Sequence, residues 1–367
     1  MRAKKTILIY NDSPVFGGHE IMTIKMANLL AEKYNVYFMF YHPEIKKRLK
    51  NKVRKVKINI SSKTFLAGLR SLNIKEILNL RKLIKKTNPD LTIVSQGMVE
   101  LCLKGAIASK SVGIKTISYI PLAFPSHLTK VKFGKIRDLF NKYFLKIFDA
   151  FITISEEQKK YLLNYWGITS KIYLLPNFVE VNPKNNNYTF YKPVSPLKLG
   201  IVARISFKQK RQDKLIEIAK ILKNKGLNFK FVIIGDGPDK KKLVTMINKH
   251  NLNYFFSFEG WINDIEKIYK LFDILLITSD YEGVPMNMLE AIVYCKPIIA
   301  PKKGIFKEYL PDKFLYKNYF DIVKIINFIL NNPNEVQNVL LDLKDKVQKL
   351  HSKNNFYKTL IEIINDV

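Results

Sequence analysis

"DILLITSDYEGVPMNMLEAI", residues 273–292, decides how the chain reads. Ile274 to Ile277 form a short unbroken apolar run, the mark of a buried strand. Gly283 and Pro285 then turn the chain, and a helical pattern begins. Pro285 suits the first helical position, where its missing N–H costs nothing. The free N–H groups near Met286 and Asn287 then point out of the helix. Such a terminus attracts an anion by roughly 0.3–2 kcal/mol, and phosphate fits it. Two carboxylates flank this corner, Glu282 before it and Glu290 inside the helix. Carboxylates accept hydrogen bonds from hydroxyls. A ligand with phosphates in its middle and hydroxyls at both ends would use both acids, and a nucleotide sugar is such a ligand. Taken alone, the same pattern also fits a capping Glu282 and a surface Glu290.

Outward from this corner, short apolar strands alternate with amphipathic helices. "KTILIY", "NVYFMFY", "KVKINI", "LTIVS", "KTISYI", "AFITIS" and "KIYLLP" are strand candidates in the first half. "LKLGIVA", "FKFVIIG", "FFSFEG", "DILLIT" and "KPIIAP" follow in the second. Continuous apolar strands separated by helices argue for parallel sheets covered on both faces. Between the halves, "EVNPKNNNYTFYKPVSP" has no period and reads as a linker. The fold class is therefore α/β, with two doubly wound units. The first covers residues 1–178, a linker 179–194, and the second 195–345. A last amphipathic helix, 352–367, is free to pack back on the first domain. Ligands of such sheets bind at the carboxyl ends of strands, so the cleft between two units is the natural site.

The 367 residues are 47% apolar, enough for two cores. The two cysteines, Cys102 and Cys295, are far apart in sequence. That argues against a disulfide framework and for a reducing compartment. The apolar part of "MRAKKTILIY" is too short for a signal peptide, and no run approaches the roughly 18 residues of a membrane span. The charge is unusual: 62 basic against 31 acidic residues, formally +31. Its densest run is "KKRLKNKVRKVK", Lys46 to Lys57. A second segment, "KVKFGKIRDLFNKYFLKIF", sets Phe133, Ile136, Phe140, Phe144 and Ile147 at spacings of three and four among cations. Nucleic acid, an anionic membrane or a phosphorylated substrate would each match such a surface. A generally lysine-rich composition would match it too.

Two further clusters bear on phosphate. In "VARISFKQKRQD", Arg204 follows a strand, with Lys210 and Arg211 soon after. Cations there would neutralise a diphosphate, at about 1.5–3 kcal/mol for each charge-assisted hydrogen bond. In "NDSPVFGGHEI", Gly17 and Gly18 open a helix after the first strand and permit close backbone approach. Gly235 lies in a "GDG" turn that borders a base or ribose in this reading. His42, His250 and His351 show no metal spacing.

Taken in order, these pieces resemble the retaining glycosyltransferases of family 4, which have the GT-B fold of two facing Rossmann-like domains. The resemblance spans nearly the whole chain, from "GGHEIMTIKMANLL" through "FITISEEQKKYL" and "LLPNFVE" to "FEGWINDIEKIYKLFDILLITSDYEGVPMNMLEA". Two glutamates separated by seven residues are the family hallmark. The resemblance implies that Glu282 lies beside the donor sugar and that Glu290 holds the ribose hydroxyls. It gives Arg204 and Lys210 the clamp on the diphosphate, making these and Glu282 the catalytic candidates. Gly17, Gly18, Gly235, Gly283, Val284, Met286 and Asn287 complete the donor-binding set. Many relatives carry a histidine where Ile120 and Pro121 stand here, so His127 and His19 are the acceptor-side candidates.

The implied activity is transfer of a sugar, with retention, from a nucleotide sugar, UDP-linked first. The acceptor would be a glycan or lipid-linked chain in bacterial surface polysaccharide synthesis, such as lipopolysaccharide or capsule. No Asp-x-Asp motif is present, so neither metal nor cofactor is expected. The basic first half suits a cytoplasmic protein peripheral to an anionic membrane. A nucleic-acid-binding protein is suggested by charge alone and lacks any recognition motif, so no nucleic-acid partner is expected. A catalytically idle GT-B partner subunit is the other alternative, which the intact glutamates and cations oppose.

Overall fold

The structure, a computed structural model, describes residues 4–62, 73–129, 132–180, 190 and 193–367. Most of the linker, along with Lys130 and Val131 of the second basic segment, lies outside the described residues. The chain divides into two compact units, Met1–Asn177 with Phe356–Val367, and Phe178–Asn355.

Unit 1 is built on seven strands: β1 Thr6–Asn11, β2 Asn35–Phe40, β3 Arg54–Lys57, β4 Leu91–Ser95, β5 Lys115–Tyr119, β6 Ala150–Thr153 and β7 Lys171–Leu174. They pair in parallel in the order β3-β2-β1-β4-β5-β6-β7. Ile7 to Tyr10 of β1 are fully buried, as a central strand covered on both faces requires. β3 ends earlier than "KVKINI" suggested, although Ile58 still donates its N–H to Phe40 O at 2.9 Å. The helix Lys353–Asp366 belongs to this unit from Phe356 onward and lies along the sheet's N-terminal edge. Lys5 Nζ, just before β1, donates to Ile364 O at 2.9 Å, and Tyr34 OH, just before β2, donates to Asn365 Oδ1 at 3.0 Å. Phe356, Leu360, Ile363 and Ile364 are its buried stripe.

Unit 2 carries β8 Leu197–Val202, β9 Phe229–Ile234, β10 Phe256–Gly260, β11 Ile274–Leu276, β12 Ile298–Pro301 and β13 Leu315–Tyr316. Their parallel order is β10-β9-β8-β11-β12-β13. β13 had no strand signature, being two residues paired with Ala300 and Pro301. The helix Pro333–Leu350 runs past residue 345, so the unit extends beyond the boundary expected from sequence.

In each sheet the strand order reverses once, between β1 and β4 and between β8 and β11. Helices on opposite faces part at such a point and leave a crevice beyond the carboxyl ends of the two strands. The residues singled out after β1, β8 and β11 sit at these two reversals.

One helix departs from expectation. Gly134–Leu145 buries Gly134, Asp138, Asn141 and Leu145, so its inward face is mostly small or polar. Its exposed face carries Phe133, Ile136, Leu139, Phe140 and Tyr143. Phe144 and Ile147, expected on that outer stripe, pack instead against the unit 1 core. At 100° per residue, Leu139 and Tyr143 extend the arc of Ile136 and Phe140, Phe144 sits at its margin nearest the inward face, and Ile147 lies past the helix end at Leu145. Among the described residues, no helix is long and apolar enough to cross a membrane.

Candidate active site

The unit 2 crevice is laced together by the loop after β8 and the corner after β11. Thr278 Oγ1 donates to Lys210 O at 2.7 Å, and the Asp280 N–H donates to Gln209 O at 2.9 Å. These bonds bring Lys210 Nζ to 2.5 Å from Glu282 Oε1, with Gln209 Nε2 at 3.3 Å from Glu282 Oε2. The Glu282 side chain is only 7% exposed and that of Lys210 20%. A carboxylate so enclosed persists because cation and amide together replace its water. Arg204 is exposed, and among the described residues its guanidinium makes no hydrogen bond or ion pair.

Glycine shapes the neighbouring turn. Gly235 has φ +135, and a Cβ there would lie 2.2 Å from Ala203 O. Only glycine fits, and the contact it permits is with the backbone next to Arg204 rather than with open space.

The helix after the corner is Met286–Val293, with Pro285 as its N-cap residue rather than its first helical residue. Met288 and Leu289 N–H groups donate back to Pro285 O, while those of Met286 and Asn287 precede the first helical bonds. Asn287 Nδ2 donates to Val202 O at 2.8 Å, which fixes this helix start against the end of β8, next to Arg204. Gly283 and Val284 are buried in the corner. Glu290, a turn further in, accepts from Tyr269 OH at 2.9 Å. Tyr269 is buried, its ring is stacked on Tyr294 at 5.0 Å, and burial pushes its hydroxyl pKa well up, so it stays a proton donor.

Arg211 turns away from this group. It binds Asp213 and Asp280, and Lys214 also reaches Asp280 at 2.8 Å. Burial alone would raise the Asp280 pKa; bonds from Lys214 and Arg211 outweigh it and hold the carboxyl well below its usual range. A cavity of about 490 Å³ opens on that side, lined by Lys214, Lys303, Tyr316 and Tyr319 among others.

In unit 1, Gly17 is the N-cap of the helix Gly18–Leu30, with φ −166, an extended value open to any residue. A Cβ on Gly17 would meet only Glu20 at 3.7 Å, so the fold itself tolerates a side chain there. His19 is not a solvent-facing loop residue. Its Nε2 lies 2.7 Å from Ser95 Oγ at the end of β4, and its ring packs on Tyr119 at 5.3 Å. Burial lowers its pKa from 6.5 to about 4, so it is neutral.

His127 is held differently. Its Nδ1 lies 3.0 Å from Asp138 Oδ2, and Tyr165 OH donates to the same oxygen at 2.8 Å. The Ser126 N–H donates to Asp138 Oδ1 at 2.8 Å. Gly134 allows the helix to approach: a Cβ there would stand 2.6 Å from the His127 backbone. Asp138 engages Nδ1 and thereby leaves Nε2 of this exposed residue for another partner. Among the described residues no three His, Cys, Asp or Glu side chains converge as a metal site would require.

The structure thus joins Lys210 to Glu282 and sets the Met286 helix start beside the strand that leads to Arg204. Sequence reasoning missed Gln209, Tyr269, Asp138 and Ser95. Gln209 stood next to Lys210 and was the one with a signal; the others looked like ordinary core or surface positions.

Comparison with known proteins decides the family. The model of Glycosyltransferase Family 4 matches residues 16–182, and that of Glycosyl transferases group 1 matches residues 190–341. The chain belongs to the family 4 glycosyltransferases. This glycosyltransferase has the GT-B fold. It aligns with the Anabaena protein HepE, solved with UDP-glucose, at a TM-score of 0.76 and 17% identity over 99% of this chain and 100% of that one. It is 28% identical over 296 residues to the UDP-Gal:alpha-D-GlcNAc-diphosphoundecaprenol alpha-1,3-galactosyltransferase of Escherichia coli, covering 77% of this chain and 73% of that protein. It is also 30% identical over 149 residues to the poly(ribitol-phosphate) alpha-N-acetylglucosaminyltransferase of Staphylococcus aureus. That match takes in 41% of the glycosyltransferase and 29% of the relative, under a third of its length.

Proposed function

We propose that this glycosyltransferase moves a sugar from a UDP-sugar to a glycan or lipid-linked acceptor of bacterial surface polysaccharide synthesis, with retention and without a metal. The observation that carries the reading is the Lys210–Glu282 pair, set at the point where the strand order of unit 2 reverses. The Met286 and Asn287 N–H groups and Arg204 receive the diphosphate. Lys210 turns part of its charge toward the leaving oxygen. Glu282 accepts from a donor-sugar hydroxyl and Glu290, steadied by Tyr269, from the ribose. Gly235 shapes the turn beneath the nucleotide. Gly17 and Gly18, at the strand-order reversal of unit 1, are donor-binding candidates on the family resemblance alone.

Breaking the anomeric bond leaves its electron pair on the diphosphate. Cations and helix N–H groups fixed beforehand lower the cost of that charge, typically by about 2.7–4 kcal/mol for one donor. The acceptor oxygen adds on the same face, and its proton passes to the departing phosphate oxygen. His127, with Nε2 left for another partner, orients the acceptor; His19, neutral and enclosed, holds the glycine loop to β4. The relatives' names supply the donor and acceptor classes: one acts from UDP-Gal on a diphosphoundecaprenol-linked sugar, another on poly(ribitol-phosphate). Such acceptors and the +31 charge suit a protein working at the inner face of the cytoplasmic membrane.

Assay with UDP-, GDP- and ADP-sugars on a synthetic prenyl-diphosphate sugar, in EDTA, tests the reading. The expected outcome is transfer from a UDP-sugar with the anomeric configuration kept. Inversion, or dependence on added Mg²⁺ or Mn²⁺, overturns those parts of it.

A further inference from the structure

The Gly134–Leu145 helix is inside out for a helix facing only water. Its inward face holds Asp138 and Asn141, each 2% exposed, while its outward arc carries Phe133 at 66%, Leu139 at 62% and Tyr143 at 74% exposed. The inward polar residues are explained by what they bind: Asp138 holds His127 and Ser126, and Asn141 reaches Glu100 at 3.4 Å. The outward ones lie outside the unit 1 core, and Lys146 Nζ stands over the Tyr143 ring at 5.8 Å. Phe133 even takes φ 57, a left-handed conformation disfavoured for a bulky side chain, and its ring remains mostly exposed.

Lys135, Lys142 and Lys146 line one flank of this arc and Lys132 precedes the helix, all exposed. An apolar stripe bordered by cations matches an anionic bilayer, with side chains entering the acyl boundary and lysines meeting phosphate. A second copy of the chain is a poor occupant, since each copy carries +31.

We propose that this helix is the lipid-docking element of the chain, inserting Phe133, Ile136, Leu139, Phe140 and Tyr143 into an anionic leaflet. The proposal rests on the membrane-linked acceptor of the function proposed above and adds a geometry to it. Through the same helix, Asp138 holds His127 on the side away from the lipid. One helix diameter, about 10 Å, then separates His127 from the leaflet. That height suits the head of a lipid-linked acceptor rather than its tail.

The test uses the full chain and vesicles of phosphatidylcholine with or without phosphatidylglycerol. The triple variant Ile136→Gln, Leu139→Gln, Phe140→Gln keeps helix-forming residues at exposed positions, and a thermal melt checks its fold. Its partition onto anionic vesicles should fall about tenfold or more. Its turnover on a water-soluble acceptor analogue should match wild type. Lys132→Glu with Lys135→Glu should weaken binding at 0.1 M salt and matter little at 1 M, where the screening length shrinks to about 3 Å. Vesicle binding by the triple variant equal to wild type overturns the proposal. So does equal wild-type binding to neutral and anionic vesicles, or a wild-type dimer in solution that the triple variant abolishes. If no sugar is transferred yet the triple variant still loses vesicle binding, docking stands and the transferase reading falls.

Discussion

Lys210 Nζ and Glu282 Oε1 lie 2.5 Å apart, so the two residues assigned opposite duties around the donor are partners of each other. Removing either leaves the other poorly hydrated and unpaired, which is costly in a mostly buried site. Lys210→Ala and Glu282→Gln should each lower unfolding free energy by about 1–3 kcal/mol, and the double variant should lose less than the sum. Urea titration of the four proteins gives the coupling. Additive losses would show that the pair is not an energetic unit. Lys210→Ala should also lose roughly 100- to 1000-fold in kcat.

Arg204 offers the contrast. It is exposed and unengaged among the described residues, so Arg204→Ala should shift stability by no more than about 0.5 kcal/mol. Its kcat should nevertheless fall roughly 100-fold or more, since its proposed partner is charge that develops on the leaving group. A rise in donor KM alone, with kcat unchanged, would make Arg204 a ground-state binder.

Tyr269 acts through Glu290. Its hydroxyl lies 2.9 Å from Glu290 Oε2 and 3.0 Å from Asn287 O, so Tyr269→Phe removes one hydrogen bond from the carboxylate without touching the donor. Donor KM should rise about 5- to 10-fold, the equivalent of one ordinary hydrogen bond, with kcat within about twofold. Steady-state kinetics at saturating acceptor separates the two. An equal fall in kcat would place Glu290 in the chemical step.

His19 makes stability depend on pH. Its folded pKa of about 4 lies below the unfolded value near 6.5, so the unfolded chain binds the proton more readily. The stability due to neutral His19 is complete above pH 6.5 and is lost as pH falls toward 4. Between pH 7.5 and 4.5 this amounts to about 2–3 kcal/mol. His19→Gln should lose that much less than wild type over the same range in urea titrations. Parallel losses would mean that the ring protonates without cost in the fold.

The strands were legible because parallel sheets bury both faces and leave unbroken apolar runs, as at Ile7–Tyr10 and Ile274–Leu276. β13 was not legible, since two residues carry no period. The corner at Glu282 showed itself by combining a strand, a turn and two acids within twenty residues. The family resemblance singled out Lys210 as a clamp on the diphosphate; its pairing with Glu282 was hidden, because the sequence does not say where a lysine folds back. Tyr269 and Asp138 were hidden for opposite reasons. An aromatic on an amphipathic helix looks like core, and an aspartate between lysines looks like surface. On the Gly134–Leu145 helix, Phe133, Ile136 and Phe140 are exposed as their spacing suggested, but spacing alone did not show that Phe144 sits at the margin of the arc or that the helix ends before Ile147, and both pack on the core.

The helix Lys353–Asp366 lies against the N-terminal edge of the unit 1 sheet, yet its residues are translated only after all of unit 2. A ribosome that has finished β7 therefore holds a sheet whose lower rim, around Lys5 and Tyr34, still waits for Ile364 and Asn365. Unit 2 has no such debt and can close as it emerges. Synthesis order and completion order are thus reversed, and the half that begins first finishes last. A nonsense codon near residue 352 would spare every strand of both sheets and fall most heavily on the half encoded farthest upstream.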